Sequence, residues 1–178
     1  GGDLVNIVPA DVRMETYVRG RTIDAVVSAN EKVNRALKAG AYAVGAEVEI
    51  NEIPGYMPLE QDKILSQLFA DNIQAFIGKE NIVEGVDLTG STDAGDVSLI
   101  MPTLHPTVGG FSGNAHSKDF KIADLEMAYI IPAKVMALTV VDLLFDEAKL
   151  SKEIKSKFKP SFSKESYLKF WDELINKK

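Results

Sequence analysis

Residues 22–54 read TIDAVVSANEKVNRALKAGAYAVGAEVEINEIP, and the reading of the first third of the chain turns on them. Thr22 carries a side-chain oxygen that accepts from an unpaired amide in a helix's first turn, so it predicts an N-cap. Ile23, Val26, Val27, Val33 and Leu37 then recur at the spacing of one helical face. Gly40 and Gly45 bracket the helix end, where glycine takes the left-handed conformation at little cost. AEVEINEIP alternates apolar and polar residues with the period of a strand and stops at Pro54, which has no amide to give to a ladder.

Upstream, NIVPADVRMETYVRG alternates imperfectly through Val12, Met14, Tyr17 and Val18 around Pro9 and Asp11, as two strands or one bent strand. Residues 1–55 therefore predict a β-β-α-β unit. That order is the second half of a split, ferredoxin-like fold, and a complete unit needs another strand and helix before Gly1.

Downstream, IPGYMP (53–58) has two prolines and a glycine and is the expected boundary between residues 1–55 and 56–178. LEQDKILSQLFADNIQAFIG predicts an amphipathic helix ending at Gly78. NIVEGVD and VSLIMP read as strands joined through the turn-forming GSTDAGD, with LHPTVGG as a further candidate. Asp119 is a candidate cap for a long helix over 120–145, interrupted near Pro132. Helices over 147–157 and 164–177, separated by KPSFS, finish an α/β chain without internal repeats.

At 178 residues, 46% hydrophobic and 26% charged, the composition is that of a soluble globular protein. The apolar run MAYIIPAKVMALTVV (127–141) is short and interrupted, which argues against a membrane span. No basic region followed by an apolar core opens the chain, and the absence of cysteine excludes disulfides and thiolate metal sites. A cytoplasmic location fits both. The net charge of −6 divides into +3 from Asp146 onward (nine Lys against six acids) and −9 in the remainder. The tail lysines alternate with Asp and Glu, as on a solvated helical face, so nucleic acid is not an expected partner.

The chain has two histidines, His105 in LHPT and His116 at the end of the glycine-rich GGFSGNAHSKDF (109–120). A neutral imidazole beside glycines that let the backbone turn closely is a suitable zinc or manganese ligand; a lone loop histidine is more often merely exposed. His105, before a proline, reads as a locally bonded structural residue ahead of a substrate contact. Arg19 offers a planar fork of donors to a carboxylate, or a surface ion pair. Asn6 either caps a turn or donates to a developing oxyanion. Asp93 and Asp96 lack the spaced oxygen series and closing Glu of a calcium loop and read as a turn that caps neighbouring backbone amides. GGFSG lacks the Lys and Ser/Thr of a phosphate cradle.

Four stretches together resemble a known family. GGDLVNIVPADV, YVRG, GSTDAGDVSLIMPTLHP and GGFSGNAHSKDF are similar, in order and spacing, to the C-terminal part of the two-metal exopeptidases and amidohydrolases that include glutamate carboxypeptidase, aminoacylase and aminobenzoyl-glutamate hydrolase. The likeness touches residues 1 to about 145; residues 147–178 match nothing in it. It implies a partial lid or dimerisation domain over 1–55, followed by the C-terminal α/β part of a catalytic domain with extra helices. It implies that His116 is a metal ligand, that Asn6 and Arg19 contact substrate, the arginine through a free carboxylate, and that the loop with Ser91 and Thr92 lies beside it. Other branches have Gly in place of Ser91. It further implies two zinc or manganese ions, a small carboxylate-bearing amide or peptide substrate, and a homodimer through the lid.

Such a site needs about five side-chain ligands and a Glu acting as base on metal-bound water. Two histidines and no cysteine cannot supply them. The expectation is therefore a C-terminal portion of a longer hydrolase, inactive alone, with no catalytic residue of its own. The competing reading is a stand-alone ligand-binding or dimerisation module without catalysis.

Overall fold

A computed structural model describes residues 4–86 and 90–176. The chain divides into two units, Gly1–Glu52 and Ile53–Lys178.

The first unit is organised by one helix, α1 (Ile23–Ala43). Thr22 Oγ1 accepts the Ala25 amide at 3.2 Å, as an N-cap should. At the other end Gly45, with φ +70°, donates to Tyr42 O at 3.1 Å while Ala46 donates to Ala41 O at 2.9 Å. This paired closure uses up carbonyls that the last turn leaves over. The returning segment is tied to the helix by Glu52, whose Oε1 accepts from the Asn30 amide at 2.6 Å and also from Asn34.

The flanking segments 4–20 and 46–52, expected as strands, form no ladder among the described residues; Gly1 to Asp3 lie outside these. Most of their apolar side chains are uncovered, with Val18 and Ile50 half-buried. Val5, Val8, Val12, Met14 and Tyr17 are all exposed, and no described residue of this unit is buried. Strand pairing without a covered face is marginal in water.

The second unit has a core. Asp62 caps α2 (Lys63–Ile77) by accepting from the Ile64 and Leu65 amides at 2.9 and 3.0 Å, and Gly78 ends it. The helix thus begins four residues after Leu59. Residues 59–61 instead run beside the 98–105 segment, where Glu60 N–H donates to Ser98 Oγ at 2.9 Å and Asp62 N–H to Thr103 O at 2.9 Å.

VSLIMP is not a strand. Its first residues close a short helix, α3 (Ala94–Ser98), and Ser98 and Leu99 are buried. A short apolar run such as Leu99 to Met101 is ambiguous between strand and buried helix end, and here burial between neighbouring segments decided it. NIVEGVD and LHPTVGG pair into no ladder among the described residues, with Asp87 outside them.

The sheet is a small hairpin, β1 (Phe111–Ser112) against β2 (Lys121–Ile122), antiparallel with Phe111 opposite Ile122. The helix expected from 120 therefore starts later. Its first turn is capped by Asp124, whose Oδ1 accepts the Met127 amide at 3.1 Å, and not by Asp119. A wide turn over Glu126–Ile130 leads into α4 (Ile131–Lys157). Pro132 sits in the first turn of α4, where its missing amide costs nothing. The true interruption lies at Phe145 to Ala148, where Asp146, Glu147 and Ala148 have φ of 49°, 54° and 58°. Such left-handed non-glycine residues cost on the order of 1–3 kcal/mol each.

α2 and α4 pack through Phe69, Ile73, Ile131 and Val135, flanked by Ile77, Ile82, Leu104, Val108 and Met127. Asn72 Nδ2 bridges the same helices to Thr139 Oγ1 (3.3 Å) and Asp142 Oδ2 (2.9 Å). An 18-residue stretch within Glu126–Lys157 has a mean hydropathy of 1.8, enough by length and composition alone to cross a bilayer, and the helix that carries it breaks at Phe145 to Ala148. Four apolar residues of Glu126–Lys157, namely Ala128, Ile131, Val135 and Ile154, are buried. The chain closes with α5 (Lys164–Ile175), capped by Ser163. Lysines of the tail pair with acids, Lys157 with Glu153 at 2.6 Å and Lys169 with Glu173 at 3.8 Å. The hydrogen bond from Lys157 holds the Glu153 carboxyl below the usual range.

Candidate functional site

Of the five residues singled out as a site, two lie in the first unit. Asn6 is exposed within the Leu4 to Ile7 turn, closed by a 3.3 Å Ile7 N–H to Leu4 O bond. Arg19 is exposed, its guanidinium carbon 5.0 Å from the centroid of the Tyr17 ring. Residues two apart on an extended segment point to the same side, so the ring can support the cation from below. No ion pair of Arg19 competes for its fork among the described residues.

His116 stands in the second unit at the tip of the β1–β2 hairpin. The local sequence builds that tip. Gly113 has φ +84°, and a Cβ there would stand 2.3 Å from Asp119 O, so only glycine lets the strand ends close. Gly110 is equally constrained, with a Cβ position 2.5 Å from the Ala128 amide nitrogen. Phe111 and Phe120 stack across the base at 5.1 Å between centroids. Inside the loop, Ser117 N–H donates to Asn114 O at 3.1 Å and Phe120 N–H to Ser117 O at 3.2 Å. His116 itself is exposed and left-handed, with φ 63°. Left-handed backbone is uncommon outside glycine, and histidine is among the residues enriched there.

Ser91 and Thr92 precede α3. Thr92 Oγ1 accepts the Ala94 amide at 3.3 Å, and Thr92 O accepts Gly95 N–H at 3.0 Å, so Thr92 rather than Asp93 caps the helix. Asp96 caps no neighbouring amide but a distant one: Oδ2 accepts Met57 N–H at 3.3 Å, and Oδ1 accepts the Tyr167 hydroxyl at 2.7 Å. Burial, and then the Asp96 hydrogen bond and charge, push the Tyr167 phenol up to about 12. Ser98 Oγ accepts from Glu60 N–H and donates to Gly95 O at 2.6 Å. Gly95 is buried so tightly that a Cβ would lie 2.0 Å from Met57 O. Gly95, Asp96, Ser98 and Tyr167 were not singled out from sequence as a group. The G-D-x-S spacing was visible, but its partners lie 38 to 71 residues away.

His105 makes a structural contact, its backbone N–H donating to Gln61 Oε1 at 2.8 Å. Among the described residues no three His, Asp or Glu side chains gather as a metal site, so His116 can contribute one donor and no more. Two open depressions, one near Phe76, Asp124 and Met127 and the other near Gln61, Ser98 and Lys159, contain none of Asn6, Arg19, Ser91, Thr92 or His116.

No family model matches the chain, and no solved structure gives a significant match. The chain is similar to Xaa-Arg dipeptidase of Mus musculus, 27% identical over 94% of this chain and 41% of that protein. It is likewise similar to Xaa-Arg dipeptidase of Homo sapiens, 26% identical over 94% of this chain and 40% of the relative. The chain thus spans about two fifths of the length of these relatives. The similarity supports a peptidase-type hydrolase.

Proposed function

We propose that this chain is the C-terminal portion of a two-metal dipeptidase or amidohydrolase that cleaves an amide in a small substrate with a free carboxylate. The observation that carries the reading is the similarity to Xaa-Arg dipeptidases along 94% of the chain. His116 would be one metal ligand, offered at the tip of a hairpin whose glycines leave room for close approach. Bound zinc or manganese would polarise the scissile carbonyl and lower the pKa of water. Arg19 would grip the substrate carboxylate through paired hydrogen bonds, and Asn6 would donate to the carbonyl oxygen. Ser91 and Thr92 would lie beside the substrate.

One imidazole cannot hold a metal against water and buffer, so the 178-residue chain by itself is proposed to be inactive. The uncovered apolar residues along the first unit support self-association, and a homodimer is proposed there. Light scattering tests it: a monodisperse mass near 19.4 kDa contradicts dimerisation of this chain. The hydrolase reading is tested with a polypeptide of the relatives' full length, loaded with zinc or manganese and given dipeptides ending in arginine. Metal-dependent release of free arginine is expected, and its absence at saturating metal contradicts the reading.

A further inference from the structure

The tail beyond residue 147, which the family resemblance leaves without a role, is tied to the loop that carries Ser91 and Thr92. Phe162 N–H donates to Leu99 O at 3.1 Å, and Ser161 Oγ donates to Glu60 Oε2 at 2.9 Å. These contacts hold the entry to α5 against the end of α3. One turn further on, Tyr167 is wedged between Phe162 and Trp171, each ring centroid 6.4 Å away in an edge-on arrangement. With the ring fixed, the hydroxyl reaches across to Asp96 Oδ1 at 2.7 Å.

Asp96 cannot follow another partner without loss, because its second oxygen receives the Met57 amide. α3 has further anchors: Gly95 packs against the Met57 carbonyl with no room for a Cβ, and Ser98 Oγ accepts the Glu60 amide. Thr92 is bound into the same helix turn through the Ala94 and Gly95 amides. Thr92 therefore moves with α3, and Asp96 on that helix is held from outside by the Met57 amide and the Tyr167 hydroxyl.

We propose that Tyr167 is a positioning residue: through Asp96 it fixes the Ser91–Thr92 loop against the substrate, so that the C-terminal helix controls substrate affinity. This rests on the reading that the loop lies beside the substrate. The phenol stays protonated, and so a donor, to well above neutral pH, since burial and the Asp96 charge push its ionisation up to about 12. The hydrogen bond is to a charged acceptor, the kind whose loss is felt most.

The test is a double-mutant cycle in the full-length polypeptide with Y167F, T92V and both, assayed on a dipeptide. Y167F keeps the ring and removes only the hydroxyl. KM is expected to rise about tenfold with kcat and metal content unchanged, the signature of lost uniform binding. In the T92V background the Y167F effect should shrink to less than about twofold, because the two act through one loop. A Y167F effect of equal size in both backgrounds overturns the proposal, as does no effect of Y167F where T92V does raise KM. No effect of either variant overturns both the proposal and the placement of the loop at the substrate. Hydrogen exchange reads the clamp without an assay: the Ala94 and Gly95 amides should exchange faster in Y167F while the α2 amides keep their protection. Unchanged exchange overturns the clamp alone, whereas a full-length protein that hydrolyses no dipeptide overturns the functional reading.

Discussion

The two units are built on opposite terms. In Gly1–Glu52 a 21-residue helix is capped at both ends, yet no described residue is buried. In Ile53–Lys178 the helices are no better capped, but Leu99 and Val135 are wholly shielded and a ring of polar contacts locks the segments around them. The first unit thus depends on local backbone signals, and the second on contacts between residues far apart in sequence. Local signals suffice for a helix but not for strands, which need a partner and a covered face.

Removing a shielded side chain should separate the units most. Leu99→Ala is expected to cost about 2–5 kcal/mol, whereas Val12→Ala, at a residue 64% exposed, should change stability by less than about 0.5 kcal/mol. Urea midpoints at constant slope measure both, and similar losses at the two sites would erase the contrast. Glycine reverses sign between the units. Gly95→Ala forces a Cβ onto the Met57 carbonyl and should cost about 1–3 kcal/mol. Gly40→Ala lies inside α1 with nothing within 4 Å and should stabilise that helix by about 0.5–1 kcal/mol. A loss at Gly40 would mean that the first unit is packed after all.

Thr22→Ala sharpens the comparison further, at about 1 kcal/mol, by removing the oxygen that accepts the Ala25 amide. Circular dichroism should register a fall in helicity confined to α1. A last effect appears only at alkaline pH. The folded Tyr167 phenol titrates near 12 against about 10 when unfolded, so its stabilisation is complete below pH 10 and fades as pH rises toward 12. Y167F should remove that alkaline loss from the second unit and leave α1 untouched, as tracked by tryptophan fluorescence and by circular dichroism.

What was legible in the sequence divides along the same line. Thr22, Gly45 and Gly78 announce helix ends within a few residues of themselves, and those ends stand where their chemistry puts them. Asp119 and Asp124 are equally good caps in isolation. The hairpin, made possible by Gly110 and Gly113, takes up the first and leaves the second for the helix. Leu99 could not be told from a strand residue because its burial comes from segments it does not adjoin. The Asp96–Tyr167 bond spans 71 positions, and no spacing rule reaches that far. His116 and Arg19 were legible as chemistry; the exposed tip and the aromatic support that carry them emerge only from the fold.

The most direct test of the central claim is metal content and dipeptide hydrolysis by the full-length polypeptide carrying His116→Ala. A metal ligand at the hairpin tip requires the loss of bound metal and a fall in activity on the order of a hundredfold or more, with the fold retained. Full metal content with unchanged hydrolysis would contradict it.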